Sequence, residues 1–531
     1  MTDHADFDID LSRRKLLAAA GVTSTVMMAT TMTAIGASTA EAQTVAAPAV
    51  SAPAVTGLHL QFGGDAASQV TVSWHTLSAV ANPRVVLGRP DGRLEKTVKA
   101  ETRSYVDGKS KQTVYAHHAK LAGLTADTSY MYGAVHDGAA PEFGTFRTAP
   151  KGRFAFTFTS FADQATPTVG KRYTPPEGVT LPFPIFVNDN LGSQAAGDTT
   201  MAVEKLRPLF HIFQGDLCYA NLSEDRVRTW VDFWENNTRS ARNRPWMPCP
   251  GNHENERGNG PIGYSGYQTY FSLPETEGQT ELTRGLWYAF TVGSVRVIAL
   301  NNDDVCYQDA GDIYIRGYSK GAQKAWLEKE LAAARSNKAI DWVVVAMHQP
   351  AMSNADKFNG ADLGVRQEFL PLFDKYGVDL VVTGHEHHYE RSHPIKGAEA
   401  NETLTPKPAD TRLDVIDTTK GAVHMIIGGG GTSAPSNELF FNPPGCRVIV
   451  SVNPPNEKGK RTPNYVHEDA PWLAVRNAAH AYGFASFSVD PGKTPGGLTT
   501  MKVTYYDVTG PGGQMEVFET FTLQRPRSDK A

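Results

Sequence analysis

The sequence predicts two domains of different class: an all-β sandwich at the N-terminal end and a larger α/β layered domain after it. Three observations predict this. Residues 57–150 hold short stretches of alternating apolar and polar residues, separated by turn residues at regular intervals, the pattern of a sandwich. From Phe154 onward, apolar strands end in polar tips and alternate with helical patterns, the pattern of a layered α/β domain. A chain of 531 residues also exceeds what one small domain needs.

Apolar residues make up 40% and charged residues 20% of the chain, enough to bury a sizeable core. The formal net charge of −5 gives no sign of nucleic acid or an anionic membrane as a bulk electrostatic partner. Ser12-Arg13-Arg14-Lys15-Leu16-Leu17 precedes a weakly apolar run over 18–36, and Ala40-Glu41-Ala42 follows as a small-x-small cleavage pattern. This predicts a twin-arginine signal over residues 1–42, the twin-arginine export machinery as a partner, and a periplasmic or secreted mature protein. A membrane anchor is the alternative, but a run rich in Ala, Thr and Gly makes a poor span. Removing it leaves 48 basic against 51 acidic side chains, and no later segment is long and apolar enough to span a bilayer. Residues 43–55, of Ala, Val, Pro and Ser, read as a linker. The four cysteines, Cys218, Cys249, Cys306 and Cys446, include no CxxC zinc pair. In an oxidising compartment they permit disulfides, with three possible pairings. Cys218 and Cys249 are open to two readings, a disulfide with each other or two buried thiols.

In the sandwich region (56–150) strands are expected over 58–62, 70–74, 85–87, 112–115, 129–132 and 144–147. Trp74 on a strand, and the run Leu121-Ala122-Gly123-Leu124 through Tyr130, resemble a fibronectin type III module with its tyrosine corner. His117 and His118 are read as structural. In the larger domain (153–525) a strand from Phe154 leads to Asp163, and a strand over 209–214 leads to Asp216. Helices are expected over 199–209, 224–236, 321–335 (with Ser319 as its cap) and 365–376, the last stopped by Gly377. A hairpin turns at Gly293-Ser294, and strands over 340–347 and 378–383 lead to His348 and His385. Late strands over 423–427, 485–489, 501–506 and 517–523 complete the sheets.

Five short segments each follow an apolar strand: Ala162-Asp163-Gln164, Gly215-Asp216-Leu217-Cys218-Tyr219, Gly251-Asn252-His253-Glu254, Val345-Ala346-Met347-His348 and Gly384-His385-Glu386-His387. The ends of strands are where α/β folds place their chemistry. Any one of these residues alone is better read as a helix cap, a turn residue or a surface histidine. Together they offer carboxylates, a carboxamide, imidazoles and a phenol, a donor set for two metal ions. Asp216 is the natural bridging oxygen. Tyr219, three residues on, offers a hard phenolate suited to Fe(III), whereas Asn252, His348 and His385 suit a softer zinc, manganese or iron(II) ion.

The order of these segments is similar to that of the purple acid phosphatases, and His388-Tyr389-Glu390-Arg391 extends the match. The resemblance runs over nearly the whole mature chain. It implies an N-terminal fibronectin type III-like domain and a four-layer calcineurin-like metallophosphoesterase domain, two packed mixed sheets flanked by helices. It implies a binuclear centre of Fe(III) and a divalent ion (Zn, Mn or Fe). Asp163, Asp216, Tyr219 and His387 would hold the first ion, and Asp216, Asn252, His348 and His385 the second. The implied activity is hydrolysis of small-molecule phosphate monoesters by in-line attack of a metal-bound hydroxide. Fe(III) with a divalent ion brings about +5, against about −3 from Asp163, Asp216 and the phenolate, leaving room for hydroxide and a phosphate ester. His253 is expected to contact the phosphoryl oxygens or protonate the leaving alkoxide, with Glu254 orienting it, and Asn252 to share in substrate binding.

Two departures stand out. The first motif reads Ala162-Asp163-Gln164-Ala165 where the family usually has Gly-Asp-x-Gly; if the first of these Gly positions has positive φ, Ala162 is strained there. The stretch after His348 also lacks the histidine pair of plant members; either Asn354, Asp356 or Lys357 takes its place at the substrate, or the pocket is built for a different ester. Two other function classes compete. One is a phosphodiesterase or phospholipase-type metallophosphoesterase with two ordinary divalent ions, the exported alkaline phosphatase D type included. The other is a non-catalytic adhesion or binding protein with a degenerate site, against which retention of all seven ligand residues argues.

Overall fold

The computed structural model describes residues 51–167, 171–172, 178, 186–187, 190–308, 314–457 and 459–530. The expected signal over 1–42 and most of the expected linker lie outside these residues.

The N-terminal part is a sandwich of two four-stranded antiparallel sheets. One runs, in spatial order, Thr56–Phe62, Val70–Thr76, Thr113–Leu121 and Glu101–Val106. The other runs Leu94–Lys99, Arg84–Gly88, Ser129–Val135 and Glu142–Arg147. The six strands read from the sequence are present. The two it missed, 94–99 and 101–106, are edge strands whose charged side chains face water, so they carry little apolar alternation to detect. Tyr130 accepts the Thr125 backbone N–H at 2.9 Å, the corner contact its spacing suggested. His118 is buried between Ser73 Oγ (2.8 Å) and the Thr269 carbonyl (2.9 Å), a structural role.

The larger part packs two seven-stranded mixed sheets face to face. The first runs Trp246–Cys249, His211–Gln214, Phe156–Phe161, Gly483–Asp490, Leu498–Gly510, Gln514–Pro526 and Val415–Asp417. The second runs Tyr288–Val292, Val295–Ala299, Trp342–Ala346, Leu380–Thr383, Val423–Ile427, Tyr389–Ser392 and Leu473–Arg476. Phe158 stacks between Phe210 and Phe487, with centroids 5.1 and 4.7 Å away. Tyr389 stacks on Tyr505 at 3.8 Å, and Trp342 Nε1 donates to Thr499 Oγ1 at 3.0 Å, tying one sheet to the other. Each sheet has a parallel core, 246–249 with 211–214 and 156–161 in one, 295–299 with 342–346, 380–383 and 423–427 in the other.

Helix Arg226–Ala241 begins on Asp225, whose carboxylate caps the Arg228 N–H at 3.0 Å. It buries Trp230, Phe233 and Trp234, and His59 of the sandwich stacks flat on Trp234 at 3.8 Å. Burial of each such ring is worth roughly 1.5–3 kcal/mol, so this helix fixes the sandwich to the larger domain. The helix expected over 365–376 is two, Leu363–Glu368 and Leu370–Tyr376. Pro371 supplies no N–H to continue the first one, and Gly377 ends the second at φ 63°. Helix Ala322–Ser336 has Gly321 at its N-cap position, and the Ser319 hydroxyl accepts the first-turn N–H of Gln323 at 3.3 Å while donating to Asp304 Oδ2 at 2.5 Å. All four cysteines are buried free thiols, so of the two readings of Cys218 and Cys249 the structure has the thiols. Among the described residues no helix is long and apolar enough to cross a membrane.

Three fully buried imidazoles, His75 in the sandwich and His211 and His424 in the two large sheets, are held by burial down to about 3. In the unfolded chain they titrate near 6.5, so stability is full above that pH and is lost as pH falls from 6.5 toward 3. At pH 5 the loss is roughly 2 kcal/mol per histidine. Thermal melts from pH 8 to 4 are expected to show a falling Tm, and His424→Gln is expected to flatten that dependence.

Candidate metal centre

The parallel cores of both sheets end at one rim. Strand 156–161 leads to Asp163, 211–214 to Asp216 and Tyr219, 246–249 to Asn252 and His253, 342–346 to His348, and 380–383 to His385 and His387. The turns that follow are sharp: Asp163, Asp216, Tyr219 and His385 all have positive φ, between 51° and 72°. For residues other than glycine such backbone costs about 1 kcal/mol or more each, and it persists where the surroundings over-determine it. Ala162 is not strained; the position with positive φ in that motif is Ala165, at 65°. Gly251 is required by close approach, since a Cβ there would stand 2.3 Å from Asp216 Oδ1.

The side chains form two adjoining groups. Tyr219 Oη lies 3.1 Å from Asp163 Oδ1 and 2.9 Å from His387 Nε2, and His387 Nε2 lies 3.4 Å from Asp163 Oδ1. His348 Nε2 lies 3.0 Å from Asp216 Oδ2 and 3.3 Å from His385 Nδ1. Donor atoms of Asp216, His348 and His385 all fall within 4.8 Å of one another. His348 Nε2 to Asp163 Oδ1, at 3.9 Å, links the groups.

Each imidazole has one nitrogen committed outward. His348 Nδ1 donates to the Gln214 carbonyl at 2.7 Å, His387 Nδ1 to the Ala434 carbonyl at 2.6 Å, and His385 Nε2 to Gln308 Oε1 at 2.7 Å. An acceptor on one nitrogen places the hydrogen there and leaves the other with its lone pair. Those lone pairs sit on His348 Nε2, His387 Nε2 and His385 Nδ1, the atoms that face the carboxylates. Asn252 Oδ1 is buried with no hydrogen-bond partner, an acceptor that asks for a cation. The donor set therefore fits a metal centre.

Burial and the cluster's own charges set which of its groups hold protons. Burial lowers His348, but Asp216 and Asp163 outweigh it and raise the imidazole to about 10. Burial raises Asp216, but His348 and His253 outweigh it and hold the carboxyl below its ordinary range. Burial first, then Asp163, pushes the Tyr219 phenol well up. A cation bound here would displace the His348 and Tyr219 protons, so its loading would strengthen as pH rises.

The Glu254 carboxylate is not a hydrogen-bond partner of the His253 ring. It accepts the N–H groups of Asp216, Leu217 and Gly251, each at 2.8 Å, clamping the loops of Asp216 and Asn252 together. Burial, then Asp216, pushes Glu254 up to about 8, against the three N–H bonds that favour the anion. His253 is oriented instead by Asn221, whose Oδ1 lies 2.8 Å from His253 Nδ1. Asn302 Oδ1 accepts the N–H groups of both His348 and Gln349 at 3.2 Å.

A cleft of about 570 Å³ opens above the centre, lined by Asp216, Asn252, His253, His385 and His387 together with Asn221, Gln308, Phe358, Asn359, Lys460 and Arg461. Asn354 and Asp356 are not among its lining residues. Asn354 is buried, donating to the Gly445 carbonyl at 2.7 Å and accepting from Arg476. The loop that carries them delivers Phe358 and Asn359 to the cleft instead. Sequence reading missed Asn221, Gln308, Asn359, Lys460 and Arg461; apart from Asn221's place two residues after Tyr219, no motif marks them.

A family model described as the purple acid phosphatase N-terminal domain matches residues 55–149, and the calcineurin-like phosphoesterase model matches residues 186–389. The chain is 58% identical over 472 residues to the uncharacterized protein Rv2577 of Mycobacterium tuberculosis, covering 89% of this chain and 87% of that one. It is 28% identical over 395 residues to human acid phosphatase type 7, covering 70% and 77%. A purple acid phosphatase from yellow lupin seeds, PPD1, shares the fold with a TM-score of 0.62 at 18% identity, over 90% of this chain and 75% of that one. Fold and matches define a hydrolase of phosphoric esters with a metallophosphoesterase domain. The chain belongs to the purple acid phosphatase family.

Because Glu254 joins the loops of Asp216 and Asn252, Glu254→Gln is expected to weaken metal retention roughly 10–100-fold. Metal content by mass spectrometry after dialysis, on protein whose circular dichroism is unchanged, checks this.

Proposed function

We propose that the chain is an exported acid phosphatase that hydrolyses small-molecule phosphate monoesters at a centre of Fe(III) and one divalent ion. Three histidines whose outer nitrogens are each tied to a carbonyl oxygen, leaving three lone pairs around Asp163, Asp216 and Tyr219, carry this reading. Tyr219 favours Fe(III) at the group it shares with Asp163, His387 and Asp216. Asn252, His348 and His385 with Asp216 suit zinc, manganese or iron(II). Bound together, the two ions supply an activated water and neutralise phosphoryl charge.

The protein's own groups do the rest. Hydrolysis joins the oxygen of water to phosphorus while the ester P–O bond breaks, and the departing oxygen needs a proton. His253 lines the cleft with Nδ1 held by Asn221, so Nε2 is the atom turned to the ester. Burial lowers its pKa, with Asp216 opposing, and an incoming phosphate dianion raises it again. His253 is then a general acid toward the leaving oxygen, and Asn221 its positioning residue. Asn252 and His253 hold the phosphoryl group; Gln308 and Asn359, rather than Asn354 and Asp356, flank it.

The twin arginines and the Ala40-Glu41-Ala42 pattern support export to the periplasm or beyond. With it we propose a division into a signal (1–42), a linker (43–55), a sandwich domain (56–150) and a catalytic domain (153–525).

Purified holoenzyme is expected to absorb broadly in the visible range, with the band lost in Tyr219→Phe. A colourless protein holding two divalent ions and preferring diesters would displace this reading in favour of a phosphodiesterase. His253→Ala is expected to lower kcat on phenyl phosphate by roughly 10²-fold or more. Asn221→Ala should lower kcat more than it raises KM and shift the alkaline limb of the pH–rate profile.

A further inference from the structure

Strands Glu101–Val106 and Thr113–Leu121 of the sandwich pair antiparallel, and the turn between them, 107–112, reaches two loops of the larger domain. The turn is internally braced. Asp107 N–H donates to the Gln112 carbonyl and Lys111 N–H to the Asp107 carbonyl, both at 2.9 Å. The buried Asp107 carboxylate accepts the N–H groups of Lys109 at 3.2 Å and Ser110 at 2.6 Å.

One loop it reaches, 252–259, carries Asn252 and His253. Gly108 N–H donates to Asn259 Oδ1 at 2.6 Å, and Asn259 Nδ2 donates to Asp107 Oδ1 at 3.3 Å and to Glu256. Backbone meets backbone here, since a Cβ on Gly108 would stand 2.7 Å from the Gly258 carbonyl carbon. The other loop, 220–225, carries Asn221. Lys109 Nζ donates to the Ser223 carbonyl at 2.9 Å and pairs with Glu224 at 3.1 Å. Arg226, just past that loop, lies 3.6 Å from Asp107 and donates to the Arg257 carbonyl at 2.8 Å, so turn and loops meet on one guanidinium.

The Asn221–His253 hydrogen bond runs from one of these loops to the other. Its length and direction depend on how the two loops sit against each other, and the sandwich turn is bonded to both. We infer that residues 107–109 are positioning residues for the Asn221–His253 pair, so that the sandwich sets the aim of the proposed general acid. The consequence for catalysis rests on that proposed role of His253. A displacement of about 1 Å can cost roughly 10²-fold in rate, so a small opening between turn and loops is enough to register.

Gly108→Ala tests this, because it removes no polar group and its added methyl group wedges against Gly258. Metal-loaded full-length protein is assayed on two monoesters. Phenyl phosphate releases a basic oxygen that needs a proton as the P–O bond breaks; 2,4-dinitrophenyl phosphate releases a stable anion that does not. On phenyl phosphate kcat is expected to fall roughly tenfold or more with KM little changed, and on the dinitrophenyl ester by less than about twofold. Added to His253→Ala, the wedge should cause no further loss on phenyl phosphate. Unchanged rates, equal losses on both esters, or losses that add fully to His253→Ala overturn the inference. If Gly108→Ala does not fold, Lys109→Ala replaces it at an exposed side chain, and Lys109→Arg should restore the rate. If the parent protein hydrolyses neither ester, the hydrolytic reading fails separately, and hydrogen exchange decides the positioning. Exchange of the N–H groups in 220–225 and 252–259 that is roughly tenfold faster in the variant, with 346–350 unchanged, keeps it; equal exchange overturns it.

Discussion

An imidazole that is to hold a metal has to present a lone pair and not a hydrogen, and in this protein that choice is made by carbonyl oxygens. Gln214, which ends a strand of the first sheet, decides His348, which follows a strand of the second. Ala434 decides His387, and the Gln308 carboxamide decides His385. Because the Gln214–His348 contact crosses between sheets, the tautomer at the centre depends on how the two sheets are stacked. The aromatic packing of Phe158, Phe210 and Phe487, the Tyr389–Tyr505 stack and the Trp342–Thr499 bond are therefore part of the candidate metal site in an energetic sense. A shift of one sheet against the other would turn a donor into a hydrogen.

The strain in the ligand loops has the same origin. Five strand ends must turn sharply to aim at one point, and Asp163, Asp216, Tyr219 and His385 adopt left-handed backbone to do so. Glu254 offsets part of that cost by collecting three N–H groups that a tight turn would leave unpaired. Gly251 leaves the space the turn needs beside Asp216. The sandwich, held by the aromatic helix 226–241, braces the side of the domain from which Asp216 and Asn252 emerge.

The last motif divides into two jobs. His385 and His387 face the centre. His388, Tyr389, Glu390 and Arg391 face away from it: Glu390 accepts from the Asn354 N–H and lies 3.2 Å from His388 Nε2, while Tyr389 and Arg391 both bind Glu519. A run that reads as a catalytic signature is thus half anchor, tying the ligand loop to the opposite sheet and to the base of the hairpin 445–469 that walls the cleft.

Much of this was legible in the sequence, and for a physical reason. Strand ends in a parallel core have fixed directions, so residues just past them converge, and chemically unusual residues there announce themselves; Asp163, Asp216, Asn252, His348 and His385 were readable in this way. Apolar alternation likewise revealed the buried strands. What alternation could not reveal were the charged edge strands 94–99 and 101–106, and the hairpin 445–469, whose exposed residues follow no period. Only the tertiary structure decided which acceptor holds which imidazole, that Asn221 rather than Glu254 orients His253, and that Gln308, Asn359, Lys460 and Arg461, rather than Asn354 and Asp356, line the cleft. Those contacts join residues far apart in the chain through loops, where neither period nor spacing constrains direction.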